Sequence, residues 1–223
     1  MPTTTQRGCA MQLLAMLTML IDHIGLVWFP EQTAWRIVGR LAFPLYAYAL
    51  VIGYFRTRSR GRYLQRLGVI ALLSQIPYMA AFSTYEGNVV MTLFICLLAL
   101  LLLDRLQGKL PLQVLAAAAF VAMLELIPLD YGGYALLLVL IYRYAKPSLL
   151  LLLHLLLNVA AVWFHGPGWM VQFASVFATL LVAGFPDMLR ELDRIRIPRF
   201  AWRSFYPVHL AAIAVIHYAQ QQL

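Results

Sequence analysis

Charge is scarce in this chain. Asp, Glu, Lys and Arg make up 12% of its 223 residues, about half the share of a soluble domain. Acidic residues are the scarcer kind, 9 against 17 basic. No polar stretch is long enough for a second folded unit, so one domain over 1–223 is expected. Of the two cysteines, Cys9 precedes the first apolar run and Cys96 lies inside a later one, a placement that does not suggest a disulfide. There is no HExxH and no His–carboxylate cluster on one helix, so no metal is expected. There is no GxSxG nucleophile motif, no Gly-rich phosphate loop, no low-complexity tract and no internal repeat.

What fills the chain is apolar: 63% of residues are hydrophobic and the mean hydropathy is +0.78. A membrane span needs about 20 apolar residues, or fewer where neighbours shield it. Nine segments qualify, at roughly 11–29, 35–55, 63–82, 89–103, 111–127, 133–145, 148–163, 169–185 and 204–220. The expected fold is therefore an all-α, polytopic membrane bundle of about nine transmembrane helices. The sixth segment, about 13 residues long, is either a full span or a re-entrant piece. The first run contains Asp22 and His23, is too long for a signal h-region and has no small-residue cleavage site after it, so it reads as a retained span.

The net charge of +8 does not point to nucleic acid, because most basic residues fall in short connections between apolar segments. There they set orientation. With the N-terminus cytoplasmic, all but Arg36 and Arg40 of the 17 basic residues lie inside. An N-in, C-out topology is expected, and dropping the sixth span would invert everything after it. The inner connection 186–203 alternates Asp187, Arg190, Glu191, Asp193 and Arg194. It reads as an amphipathic helix on the inner surface, with Leu189, Leu192 and Ile195 facing lipid or protein.

Ionisable groups inside such segments cost several kcal/mol unless paired or facing a wet cavity. Asp22 and His23 sit about two-thirds along the first run. Adjacent helical residues point about 100° apart, so Asp22 is expected to meet a base on another helix rather than His23. Arg36 and Arg40, four apart on one face of the second segment, are the obvious partners. One reading is a buried ion pair tying two helices, with His23 as a helix–helix hydrogen bond. The other is a general base, since an imidazole titrates near neutral pH. Pro44 should kink the second span. Arg56, Arg58, Arg60, Arg62 and Arg66 read either as an orientation signal touching anionic headgroups or as a clamp for the phosphates of a cytosolic cofactor. Tyr54, Phe55 and Tyr63 stand beside them, able to stack on a base. Asn88 is either an N-cap or a site residue with Thr92. Asp130, ahead of Gly132, is either a turn former or a site residue. His154 and Asn158, four apart, read chiefly as interhelical hydrogen bonds. Pro207 is expected in the first turn of the last helix. Tyr206, His209, Ile213 and His217 fall near one stripe, with His217 at the interface.

Taken together, these residues resemble the TraX family, named for a conjugal-transfer protein that N-acetylates pilin. The resemblance rests on Asp22-His23-Ile24-Gly25, Gly39-Arg40-Leu41-Ala42-Phe43-Pro44, Tyr63-Leu64 with Arg66-Leu67, Asn88 with Thr92-Leu93, Asp130-Tyr131-Gly132, and Phe205-Tyr206-Pro207-Val208-His209-Leu210. They occur in family order across nearly the whole chain; 97–124 and 136–185 carry little that matches. The resemblance implies an inner-membrane acetyltransferase that uses acetyl-CoA as acyl donor. It is also similar in logic to transmembrane acyltransferases that move an acyl group through an intramembrane histidine. The implied acceptor is a protein N-terminus or a small molecule bearing an amine or hydroxyl.

On that basis His23 is the expected base or transient acyl carrier. Asp22 pairs with Arg40 or orients His23. Arg36 and Arg40 steady an oxyanion or hold an acceptor carboxylate. The cluster Arg56–Arg66 takes the donor's phosphates. Arg36, Asn88, Thr92, Asp130, Tyr131 and Tyr206 line the pocket, and His209 meets the thioester or replaces His23. Two other functions stay open: a proton-coupled transporter or channel, which the missing inverted repeat disfavours, and a non-catalytic assembly factor of a conjugation or secretion apparatus.

Overall fold

A computed structural model describes residues 9–185 and 198–222. Most of the described residues are helical, with one isolated bridge between Gly87 and Leu129 and no strand among them. In chain order the helices are α1 (Cys9–Trp28), α2 (Thr33–Gly39), α3 (Ala42–Arg56), α4 (Arg60–Phe82), α5 (Val89–Arg105), α6 (Leu110–Leu126), α7 (Gly132–Tyr144), α8 (Leu150–His165), α9 (Val176–Gly184) and α10 (Arg199–Gln221). Short 3-10 turns, Pro147–Leu149 and Pro167–Ser175, lead into α8 and α9. The expected surface helix, with Leu189, Leu192 and Ile195, falls mostly outside the described residues.

Four stretches are long and apolar enough to cross a membrane: Met11–Trp28, Thr33–Arg56, Pro147–His165 and Pro167–Gly184. Leu110–Leu126 and Gly132–Tyr144 are apolar but shorter. At 13 residues α7 is about 20 Å long, short of a hydrocarbon core of about 30 Å. Its middle is sealed all the same: Ala135, Leu136, Leu138 and Val139 have no exposed surface.

Three expectations about helix ends change. The second span is broken, not kinked: α2 stops at Gly39 and α3 begins at Ala42. Pro44 has no N–H for the Arg40 carbonyl and its ring crowds that carbonyl, which favours a break at this point. Pro44 itself then sits in the first turn of α3. The eighth span is a 3-10 segment followed by α9 rather than one α-helix. In α10 the helix starts at Arg199, so Pro207 is interior instead of first-turn. It leaves the Arg203 carbonyl without its helical donor.

The chain forms two compact units. One comprises Met1–Ala49 and Ile141–Phe205, the other Leu50–Leu140 and Tyr206–Leu223. In the first, Met11 and Ala15 of α1 pack with Leu45 of α3 and with Ala178 and Val182 of α9. Residues four apart on one helix present this single apolar face. In the second, the buried side of α5 runs through Leu93, Leu97 and Leu100, with Cys96 fully buried among them.

Candidate functional site

The first unit holds Asp22, His23, Arg36 and Arg40. Pro30 ends α1 and the chain reverses over Phe29 to Gln32, so α1 and α2 form an antiparallel hairpin. The rings of Phe29 and Trp35 stack at 4.9 Å across it. Trp35 Nε1 donates to Gln32 Oε1 at 2.9 Å. Two glycines set how closely the helices meet. A Cβ on Gly25 would overlap the Trp35 side chain, and a Cβ on Gly39 would overlap the Asp22 carboxylate. Each helix therefore lacks a side chain where the other delivers one. This gives Gly25 of the first motif and Gly39 of the second a physical reason.

Asp22 lies in this gap, and Arg36 Nη1 stands 3.0 Å from its Oδ1. This contact is an ion pair by distance; the Oδ1 atom accepts no well-aligned hydrogen bond. Arg40 directs Nη1 to Gln172 Oε1 at 3.3 Å, and its charge also acts on Asp22. His23, on the adjacent face of α1, is 9% exposed. A carboxylate, an imidazole and two guanidinium groups thus share one hairpin and its immediate cover. Such a set can take a proton and can stabilise negative charge developing on a reacting carbonyl.

The remaining candidates lie in the second unit. Asn88 has no exposed surface. Its Oδ1 accepts from the Val90 and Met91 N–H groups at 3.0 and 3.2 Å, which caps α5. Its Nδ2 donates to the Ala71 carbonyl at 2.9 Å and to Gln75 Oε1 at 2.8 Å, which ties that cap to α4. Thr92 Oγ1 donates to the Asp130 carbonyl at 2.8 Å. Gly87 N–H donates to the Pro128 carbonyl at 2.8 Å, and Asp130 N–H to the Gly87 carbonyl at 3.1 Å. Asn88, Thr92 and Asp130 therefore form one corner, where the turns before α5 and α7 are bonded together. Tyr131 and Gly132 follow with φ of +67° and +49°. For tyrosine that conformation costs about 1–2 kcal/mol, and the corner's hydrogen bonds hold it there. Tyr206 and His209 of α10 are both buried, with ring centroids 5.5 Å apart.

Arg56, Arg58, Arg60, Arg62 and Arg66 surround the α3–α4 turn, all exposed. Ser59 caps α4 by accepting from the Arg62 N–H. Arg60 lies over the Tyr54 ring at 4.5 Å and pairs with Asp104 at 3.2 Å. Tyr54 is 1% exposed and donates to Asp104 Oδ2 at 2.6 Å, so it cannot stack on a ligand's base as expected. Arg66 lies over Tyr63 at 5.9 Å. Exposed guanidinium groups at the positive end of α4 suit phosphates. Among the described residues no three His, Cys, Asp or Glu gather around one metal position.

Three buried residues escaped the reading of the sequence. Gln172, which receives Arg40, is 2% exposed. Ser175 and Thr179 have no exposed surface and bond to His154, which is equally buried. Polar residues at 172, 175 and 179 recur at helical spacing in an otherwise apolar run, and that stripe is the signal that was available.

The described residues are all-helical, with four stretches long and apolar enough to cross a membrane and a partly buried carboxylate–guanidinium pair, features that suggest a membrane protein. The chain belongs to the TraX family: the family described as TraX protein matches residues 8–217. It is 28% identical to the probable fimbrial assembly protein FimC, serogroup H1, of Dichelobacter nodosus, over 91% of this chain and 92% of that protein. It is also 28% identical to Protein TraX of Escherichia coli, over 91% of this chain and 84% of that one. No solved structure gives a significant match.

Proposed function

We propose that the chain is a membrane-embedded acetyltransferase serving pilus or fimbrial assembly. It moves an acetyl group from acetyl-CoA to an amine or hydroxyl, with His23 as base. The observation that carries this reading is the Asp22–Arg36 pair at 3.0 Å beside a buried imidazole, on a helix of membrane length. Nine crossings of a bacterial inner membrane, N-terminus inside, complete the proposal; the arginines of the α3–α4 turn then face the cytosol, where acetyl-CoA is found. Those arginines bind its phosphates.

In the reaction His23 takes a proton from the acceptor nitrogen as that atom attacks the thioester carbonyl. The charges of Arg36 and Arg40 stabilise the resulting oxyanion. Collapse breaks the C–S bond, and the departing CoA thiolate takes the proton from the imidazolium. Asp22 keeps Arg36 fixed during these steps.

The test is thermal stability of the purified protein with acetyl-CoA, CoA and plain nucleotides. Acetyl-CoA at 100 times its Kd should stabilise by about 2.7 kcal/mol, and neutralising the five arginines should abolish this. No stabilisation by any CoA species at saturation would contradict the reading. A second reading, a non-catalytic assembly factor, is favoured by the name of the Dichelobacter relative. It requires His23 substitutions to leave pilus assembly intact.

A further inference from the structure

The first unit contains a second polar feature, which the acetyl-transfer steps do not use. Ser175 Oγ lies 3.1 Å from His154 Nε2. The other ring nitrogen of His154, Nδ1, is hydrogen-bonded to Thr179 Oγ1. Thr179 Oγ1 is hydrogen-bonded in turn to the Tyr142 hydroxyl. Asn158 braces the start of this line: its Nδ2 donates to the His154 carbonyl at 3.0 Å and approaches Ser175 Oγ at 3.5 Å. Four side chains from α7, α8, the 3-10 turn and α9 are thereby joined end to end. Each polar group in so apolar a place costs free energy unless bonded.

Two properties suggest what the chain carries. First, every link is reversible. Hydroxyls donate and accept, and a neutral imidazole accepts at one nitrogen and donates at the other. In one pattern Tyr142 donates to Thr179, Thr179 to His154 Nδ1, and His154 Nε2 to Ser175. In the other, each of these donations runs the opposite way. A proton that enters at Ser175 and leaves at Tyr142 converts one pattern into the other and leaves every atom otherwise in place. Second, Ser175, His154 and Thr179 have no exposed surface, and Tyr142 has 7%. An acyl group cannot reach such a serine, which excludes a Ser–His acyl carrier. A proton needs no such room.

One end of this line lies, in sequence, beside the residue that receives Arg40. Gln172 and Ser175 are three apart in a 3-10 segment, where side chains at i and i+3 eclipse. Gln172 receives Arg40, and Ser175 is one turn further on. The other end, Tyr142, is followed by Arg143 and Lys146, which the proposed topology puts at the inner face.

We propose that Ser175, His154, Thr179 and Tyr142 form a proton relay that carries the proton released by acetyl transfer inward from the Arg40 end of this unit. The proposal rests on the acetyl-transfer reading. An amine acceptor is an ammonium ion at neutral pH. Its conversion with acetyl-CoA to an acetamide and free CoA thiol releases one net proton, which must leave an apolar site before the next turnover.

The test measures acetylation of a short peptide with a free N-terminus by the purified protein, using labelled acetyl-CoA, in H2O and in D2O. Thr179→Val removes the central hydroxyl and nearly preserves shape. The relay predicts turnover about tenfold lower or more, with a larger solvent isotope effect than wild type. Thr179→Ser restores both. If Thr179→Val does not fold by melting temperature, Tyr142→Phe, which removes only the inner hydroxyl, carries the same expectation. Wild-type turnover in these variants overturns the relay. So does a loss that matches the folded fraction and keeps the wild-type isotope effect, which would mark a helix lock. If the wild-type protein acetylates no peptide and consumes no acetyl-CoA, acetyl transfer itself fails, and the relay fails with it.

Discussion

The α1–α2 hairpin and the corner at Asn88 both carry family motif residues, and they treat their polar groups in opposite ways. At the corner, the amide of Asn88 and the hydroxyl of Thr92 bond to backbone groups and to Gln75. Its charged member, Asp130, enters these bonds through its backbone carbonyl and N–H. At the hairpin, a carboxylate and a guanidinium face each other, and a histidine is buried one residue away from the pair. Fully satisfied neutral groups specify a fold, whereas ionisable groups kept in an apolar layer cost stability and mark chemistry. On the proposed function, the motifs of one family thus divide into those that shape the backbone and those that serve the reaction.

Substitutions can break that division. The largest effect should come from Arg36→Ala. The pair is partly buried, 27% and 14% exposed, so removing one partner leaves a poorly compensated carboxylate and costs about 2 kcal/mol. Acetyl transfer per folded molecule should also fall at least a hundredfold, as steady-state turnover will show. Gly39→Val comes next. It pushes the Asp22 carboxylate out of its gap, costing about 1–3 kcal/mol by overpacking and at least tenfold in turnover, whereas Gly61→Val, with open space around it, should leave turnover intact. At the corner the pattern should invert. Asn88→Ala removes a cap and strands the Ala71 carbonyl and the α5 amides, for about 2 kcal/mol. Denaturation should register that loss while turnover per folded molecule stays within about twofold. A collapse of turnover without a change in stability would place Asn88 in the pocket and erase the comparison. The smallest effect should follow Arg60→Ala, which loses an exposed pair with Asp104, worth about 0.5 kcal/mol in a melting curve.

The all-helical fold was legible because apolar runs of membrane length have few other outcomes. The hairpin partners were legible too, since an acid in one apolar segment needs a base in the next. The choice between Arg36 and Arg40 was not. Arg36 makes the 3.0 Å contact, while Arg40 acts on Asp22 through its charge and reaches Gln172, 132 positions away, a partner no local spacing reveals. The break at Arg40 was half-legible: Pro44 announced a disturbance, but one turn too late in the chain. Placing Pro207 in a first turn failed because helix α10 begins eight residues earlier, within the inner connection that was read as a separate surface helix. Tyr54 looked available for a ligand because nothing near it in sequence contains Asp104, which holds its hydroxyl.

The measurement that tests the central claim most directly is acetyl-CoA turnover by purified wild-type protein, His23→Gln and His23→Ala, with a free-amine peptide as acceptor. A general base contributes about 10²–10⁴ in rate. The hairpin account predicts losses in that range for both variants, with folding and acetyl-CoA stabilisation retained. Turnover unchanged in both would show that the buried imidazole only joins helices, and the site would have to be sought elsewhere.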